Sequence, residues 1–219
     1  CSTLMEIQSY VNSNHVLIKY HAYLSKNYES TYTDEYDSDV KKMVDDWYKA
    51  NIEDRGYSKY LSDTLFCNDR TYTSGDGFSL ESSTIYGAYN RNVENKKPSL
   101  KCSRQVDQFT TNKSENIGNG ELIYPIGLLT IDESIFCGMK DANINKYNWL
   151  NVGISYWTLS PAIFSDSVKI YEIANNGNLD ALIKSDNSYN IRPVINLKKD
   201  TLINEGNGTK ANPYVIASD

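Results

Sequence analysis

The sequence predicts an α+β fold with two main short helices, small antiparallel β-sheets and long loops, and three observations carry that prediction. Residues 154–161, 168–173 and 191–197 are short runs rich in Val, Ile, Tyr and Trp, the composition and length of strands in a β-rich core. Val40, Met43, Val44, Trp47 and Tyr48 recur at helical spacing, while Lys41, Lys42, Asp45, Asp46 and Lys49 fill the other face. Between such runs the chain is punctuated by Asn, Ser, Asp and Gly, the residues of turns and loops. At 219 residues the chain is long enough for one domain with a sizeable core, and residues 1–219 are read as a single domain.

Taken in order, residues 1–36 are weakly patterned. They hold an apolar patch at Val16-Leu17-Ile18 and then a Tyr/Ser/Thr/Asn-rich run to Tyr36, read as loop-like. Asp37, Ser38 or Asp39 can cap the first helix, which ends near Asn51, and Trp47 on its apolar stripe reads as core. Residues 57–63 form a short second helix or turn leading into Thr64-Leu65-Phe66-Cys67. Residues 68–99 read as mostly loop, with a turn at Ser74-Gly75-Asp76-Gly77 and Lys96-Lys97-Pro98 closing it. Asp76 between two glycines lacks the alternating acidic ligands and terminal Glu of a helix-loop-helix calcium site.

A second loop, residues 112–120, gives way to the buried strand, or strand and turn, of residues 122–129. Thr130-Ile131-Asp132-Glu133 matches a capping box, so a short helix should run through Cys137 and stop at Gly138. Capping accounts for Asp132 and Glu133, which are not read as a catalytic carboxylate pair. In the central stretch Val168, Ile170 and Glu172 share one face and Lys169, Tyr171 and Ile173 the other, so no clean polar side emerges. The tail turns at Gly206-Asn207-Gly208-Thr209 and returns through residues 212–216 as an edge strand.

Composition excludes several function classes. A net charge of −6 argues against a phosphate-backbone partner, which needs a basic footprint. No run approaches the roughly 18 apolar residues of a spanning helix, so direct membrane insertion is not expected. Only His15 and His21 could serve a histidine-based catalytic group. There is no nucleophile elbow, phosphate-cradling loop or dinucleotide fingerprint. Neither catalytic residues nor a metal or other cofactor is expected. The 18 tyrosines against 5 phenylalanines and 3 tryptophans fit a recognition surface, where Tyr works with Ser, Gly and Asn; a wet β-rich surface is the alternative reading.

The four cysteines, Cys1, Cys67, Cys102 and Cys137, form none of the close pairs of zinc or redox motifs. Cys67 and Cys102 flank a Gly/Ser/Tyr-rich excursion, where a disulfide would pin a long loop; two unpaired thiols in a cytosolic protein are the alternative. The disulfide reading places the protein outside the cell. Because no signal peptide is visible and the chain starts mid-pattern at Cys1, a longer precursor with upstream targeting information is expected.

Several motifs together carry a family resemblance. Tyr156-Trp157-Thr158-Leu159-Ser160-Pro161, Ile191-Arg192-Pro193-Val194-Ile195-Asn196-Leu197 and residues 206–216 resemble a family of Firmicutes and Mollicutes surface proteins of gut bacteria, often preceded by a pilin-like segment. Trp47-Tyr48, Tyr60-Leu61-Ser62-Asp63, Phe66-Cys67-Asn68-Asp69-Arg70, Lys101-Cys102 and Tyr124-Pro125-Ile126-Gly127-Leu128-Leu129-Thr130 are further matches. The resemblance implies a C-type-lectin-like fold related to formylglycine-generating enzymes. It also implies a bacterial cell-surface protein that binds an unknown protein or glycan and could be part of a pilus-like assembly. Two positions depart from the family pattern. Cys137 replaces a small residue, which leaves Cys1 with Cys137 as another pairing, and Asn190-Ile191 replaces a glycine and a valine. The active-site cysteine pair of the enzyme relatives has no matching motif.

Some such proteins are diversified by retroelements that randomise adenines, and AAC or AAT codons then yield Asn, Tyr, Ser, Asp and Ile. That mixture fills residues 143–190, within a ligand-displaying part placed at 143–197. The resemblance therefore implies a variable ligand-binding set of Asn145, Asn148, Asn151, Ile154, Ser155, Ala162, Ile163, Ser165, Ser167, Lys169, Tyr171, Asn187, Ser188 and Asn190. These should gather on one solvent-facing surface, with Trp157 and Arg192 as fixed scaffold. A structural pilus or tip subunit without a selected ligand, and a formylglycine-generating-type oxidase, are the competing readings.

Overall fold

The amphipathic stretch folds as helix α1 (Asp39–Tyr48), and its apolar stripe of Val40, Val44 and Tyr48 is buried. A π-type turn over Lys49–Glu53 follows and buries Ile52. The structure, a computed structural model, describes residues 39–77, 81–112, 118–140, 145–165, 168–184, 189–209 and 211–217. The loop-like reading of residues 1–36, the candidate caps Asp37 and Ser38, both histidines and a Cys1–Cys137 pairing lie outside them. Residues 57–63 supply one 3-10 turn, Tyr57–Tyr60, after which Leu61 bridges to Leu197.

Among the described residues the strands are β1 (Phe66–Cys67), β2 (Tyr72–Ser74), β3 (Thr84–Tyr86), β4 (Gln108–Phe109), β5 (Ile126–Leu128) and β6 (Tyr156–Phe164). They continue as β7 (Val168–Ile173), β8 (Leu179–Lys184), β9 (Pro193–Ile195), β10 (Ile203–Glu205) and β11 (Val215–Ile216). The helices after α1 are a single turn, α2 (Gly87–Tyr89), and α3 (Ile131–Phe136). Strands β2-β3-β6-β7-β8 form a five-stranded antiparallel sheet in that order, while β1-β4, β5-β9 and β10-β11 make two-stranded antiparallel sheets. The chain is thus mixed α+β with few helices and several small sheets.

Both faces of the large sheet are covered. On one side Trp157, Phe164, Val168 and Ile170 pack with Val40, Val44 and Tyr48 of α1 and with Ile126, Leu128 and Ile195. On the other Tyr156, Ala162, Tyr171, Ile173 and Leu179 pack with Ala88, Ile131, Met139 and Leu150. A central strand buried on both faces needs apolar residues on both, which explains why β7 shows no polar side. Pro161 sits inside the central strand β6 although proline cannot donate to a ladder. The register shifts on each side of it, between Trp157 and Pro161 and between Pro161 and Ile163, so the missing donor falls at bulges.

Two segments read as loop or decoration carry strands. Residues 68–99 supply β2, β3 and α2, with Thr84, Tyr86 and Ala88 fully buried. Runs of three residues are too short to show a period, and β3 is held by distant pairing, Thr84 with Phe164 and Ile85 with Ile163. Strand β8 follows a turn at Asn175-Asn176-Gly177. Gly177 has φ 82°, and a Cβ there would stand 2.8 Å from the Asn145 carbonyl oxygen, so glycine is required twice over. The predicted edge strand is observed as β11, paired with β10.

Helix α3 begins with both halves of its capping box. The Glu133 backbone N–H donates to Thr130 Oγ1 at 3.2 Å, and the Thr130 N–H donates to Glu133 Oε2 at 2.8 Å. Gly138, φ 91°, ends the helix. Asp132 has a different task from the capping predicted for it: its buried carboxylate takes Arg91 Nε at 3.1 Å, Arg91 Nη2 at 2.9 Å and the Ser99 N–H at 2.8 Å. Arg91 also donates to Asp69 Oδ2 at 2.7 Å, so one guanidinium joins the α2 region, the β1–β2 connection and α3.

Cys67 and Cys102 form a disulfide, with Cα atoms 5.8 Å apart. In the chain-entropy account, closing a loop of this size contributes about 3 to 4 kcal/mol. Beside it lies a buried ion pair: Arg70 Nε donates to Asp107 Oδ1 at 2.7 Å, and Arg70 Nη2 donates to the Val106 carbonyl at 2.8 Å.

Glu172 is the least accommodated polar residue of the sheet. It is 4% exposed on the α1-facing side, opposite Trp157 on β6 and Asp180 on β8, and its Oε2 has no hydrogen-bond partner among the described residues. Burial, with the Asp180 carboxylate next, pushes its carboxyl from 4.5 up to about 7. Burial and the same two carboxylates also push the neighbouring Tyr189 hydroxyl up. The folded state then holds a proton that the unfolded chain has released, so stability falls as pH rises from about 4.5 to about 7 and is level above. Glu172→Gln should match the parent near pH 4.5 and exceed it by about 1 to 3 kcal/mol at pH 8. Urea unfolding at the two pH values checks this; an equal difference at both would remove the buried-acid explanation.

Candidate functional site

The segment between α3 and β6 is held by hydrogen bonds from its own asparagines. Asn145 Nδ2 donates to the Lys140 carbonyl at 3.0 Å and to the Gly177 carbonyl at 2.9 Å. Asn148 Nδ2 donates to the Cys137 carbonyl at 3.0 Å while its Oδ1 accepts from the Leu150 N–H at 2.9 Å. Asn151 Oδ1 accepts from the Gly153 N–H at 3.1 Å. These are local side-chain to backbone turns of the kind Asn favours. Leu150 is buried, and its carbonyl accepts from Tyr156 Oη at 2.6 Å and Arg192 Nη1 at 3.0 Å. Arg192 also donates to Tyr156 Oη at 2.9 Å and lies over the Tyr156 ring at 4.8 Å. Arg192 is thereby tied to the 145–151 segment through the Leu150 carbonyl.

With its asparagines turned to the backbone, this loop presents other side chains to solvent. Tyr147 is fully exposed, Trp149 is 45% exposed and Ile154 is 41% exposed. Only Ile154 belongs to the predicted set. The signal for the other two was the alternation in Tyr147-Asn148-Trp149, where an asparagine that closes a turn sends its neighbours outward.

Ser155 and Asn190 join this end of the sheet. Asn190 donates from its N–H and Nδ2 to the Ser155 carbonyl at 3.2 and 2.9 Å, and Ser155 Oγ accepts from the Asn175 N–H at 3.1 Å. Tyr189 meets the Trp157 ring edge-on at 4.9 Å, and Trp157 is fully buried. The remaining described candidates lie elsewhere. Ile163, Ser165 and Lys169 sit at the far end of β6, with Ile163 paired to Lys169 and Lys169 Nζ donating to Ser165 Oγ at 2.9 Å. The nine residues of β6, at about 3.3 Å each, put roughly 30 Å between the two groups.

Two candidates are not on the surface. Ala162 is 0% and Tyr171 1% exposed, because each points from a central strand into the core that α3, Met139 and Leu150 cover. Ser167, Asn187 and Ser188 lie outside the described residues. The expected single surface is therefore corrected to a group around Asn145–Ser155 and Asn190, a second group at the other end of β6, and two core residues.

Among the described residues no helix is long and apolar enough to cross a membrane. In comparisons with family models, curated proteins and solved structures, the chain matches none of them.

Proposed function

We propose that this chain is a ligand-binding domain of a bacterial cell-surface protein, with a C-type-lectin-like fold, and that it acts by recognition without catalysis. The observation that carries the reading is the exposure of Tyr147, Trp149 and Ile154 on a loop whose backbone is tied down by Asn145, Asn148, Arg192 and Tyr156. Rigid aromatic side chains give large contact area with little ordering entropy, and a loop ordered beforehand adds less still. The disulfide is compatible with an oxidising, extracellular setting. The ligand is a protein or glycan presented outside the cell. Retroelement diversification of residues 143–190 would vary the neighbours of the aromatic pair and leave Trp157 and Arg192 in place.

Immobilised domain probed with a glycan array and with candidate surface proteins tests the reading. The Tyr147→Ala/Trp149→Ala variant should lose at least about tenfold in affinity for whatever is captured. Its stability should stay within about 1 kcal/mol, since both changes are at exposed positions. Unchanged affinity would remove the loop from the site. Self-polymerisation with no capture would favour the structural subunit. For diversification, gene copies from related strains should differ at adenines within the codons of residues 143–190 and rarely outside them.

A further inference from the structure

A pocket of about 500 Å³ opens between the π-type turn after α1, the 3-10 turn Tyr57–Tyr60, strand β9 and the final strand β11. That volume lies in the range of small-molecule sites, about 300 to 1,000 Å³. No residue of the 145–155 loop lines it. Its walls are Trp47, Tyr57, Tyr60 and Tyr214, closed by aliphatic side chains including Leu61 and Ile195.

Asn51, in the wall, has committed its Nδ2 to the Trp47 carbonyl at 3.0 Å. Among the described residues Arg55 is the one charged residue of the lining, and the acids beside it in sequence are engaged elsewhere. Asp54 pairs with Lys49 at 2.6 Å, and Glu53 accepts from Tyr124 Oη at 2.9 Å. Arg55 itself has no ion pair or hydrogen bond among the described residues. A lone guanidinium at an apolar aromatic chamber, in a chain of net charge −6, complements a ligand with a flat apolar body and one anionic head.

We propose that this pocket binds a small aromatic carboxylate, its ring between the tyrosine and tryptophan walls and its carboxylate on Arg55. The site is separate from the recognition loop and does not depend on that reading.

Calorimetric titration of the whole chain with phenylacetate and hydrocinnamate, each beside its primary amide, tests it. At least one acid should bind saturably, and at least about tenfold more tightly than its amide, a preference a single ion pair in a partly enclosed site can supply. Arg55→Gln, at an exposed position, should remove that preference while leaving the weak amide binding and the melting temperature unchanged. Tyr57→Ala should weaken acid and amide alike. Tyr147→Ala/Trp149→Ala should change neither. No saturable binding of either acid up to its solubility limit overturns the proposal, as does equal affinity for acid and amide or an Arg55→Gln variant that keeps the preference. Concentration-dependent dimers dispersed by Tyr57→Ala would assign the pocket to a second copy of the chain and equally overturn it.

Discussion

Arg70→Leu is expected to lower the unfolding free energy by about 3 to 5 kcal/mol, the usual result of removing one partner of a buried ion pair. Asp107 is fully buried, and the Arg70 guanidinium meets its Oδ1 at 2.7 Å; the Arg70 backbone N–H, 3.3 Å from Oδ2, stays in the variant. Arg104, 3.6 Å away, is a weaker substitute on a more exposed side chain. Burial pushes the Asp107 carboxyl up, against the pull of Arg70, so without Arg70 the folded state should take up a proton that the unfolded chain does not hold. The deficit should then shrink as pH falls towards the unfolded carboxylate value. Arg70→Leu/Asp107→Leu should recover much of the loss, because an apolar pair leaves no buried charge behind. Urea unfolding of the three proteins decides it. A single-variant loss under about 1 kcal/mol would mean that water or Arg104 already satisfies Asp107.

Trp157→Ala should lower stability by about 3 to 5 kcal/mol, the range for deleting a core aromatic side chain. Trp157 is fully enclosed between the sheet and α1, with Tyr189 against its ring. Its Nε1 has no partner among the described residues, so the expected loss is one of packing and cavity formation. Trp157→Phe should therefore lose much less than Trp157→Ala. If the two variants prove equally destabilised by urea unfolding, the ring is not what fills the site. A loss at the upper end would approach the whole stability of a marginal domain.

Elements whose cause is local were legible in the sequence. The stripe Val40, Val44, Tyr48 and the box Thr130–Glu133 each place their interactions within one or two turns, so the residues that form α1 and start α3 also announce them. The runs behind β6 and β7 were legible because strands buried on both faces carry unbroken apolar composition. Cys67 and Cys102 marked the edges of the one long excursion between them. Strands β3 and β8 were not legible. Strand β3 has too few residues to show a period and depends on Phe164, which reaches Thr84 from far along the chain. Strand β8 has six residues but no clean alternation, and the turn at Asn175-Asn176-Gly177 is what folds Asp180 back against Glu172.

The candidate site divides in the same way. Its composition located the segment, but Asn145 and Asn148 could be ligand contacts or turn closers in sequence alone, and the distinction rests on the Gly177 and Cys137 carbonyls. By itself the sequence determined the α+β class and pointed to the Cys67–Cys102 pair, because hydrophobic pattern, cap chemistry and cysteine placement are properties of neighbouring residues. Only the tertiary structure decided that Ala162 and Tyr171 face the core. Which side of a strand is covered depends on what packs over it, here Ile131, Met139 and Leu150, and no local pattern of residues encodes that.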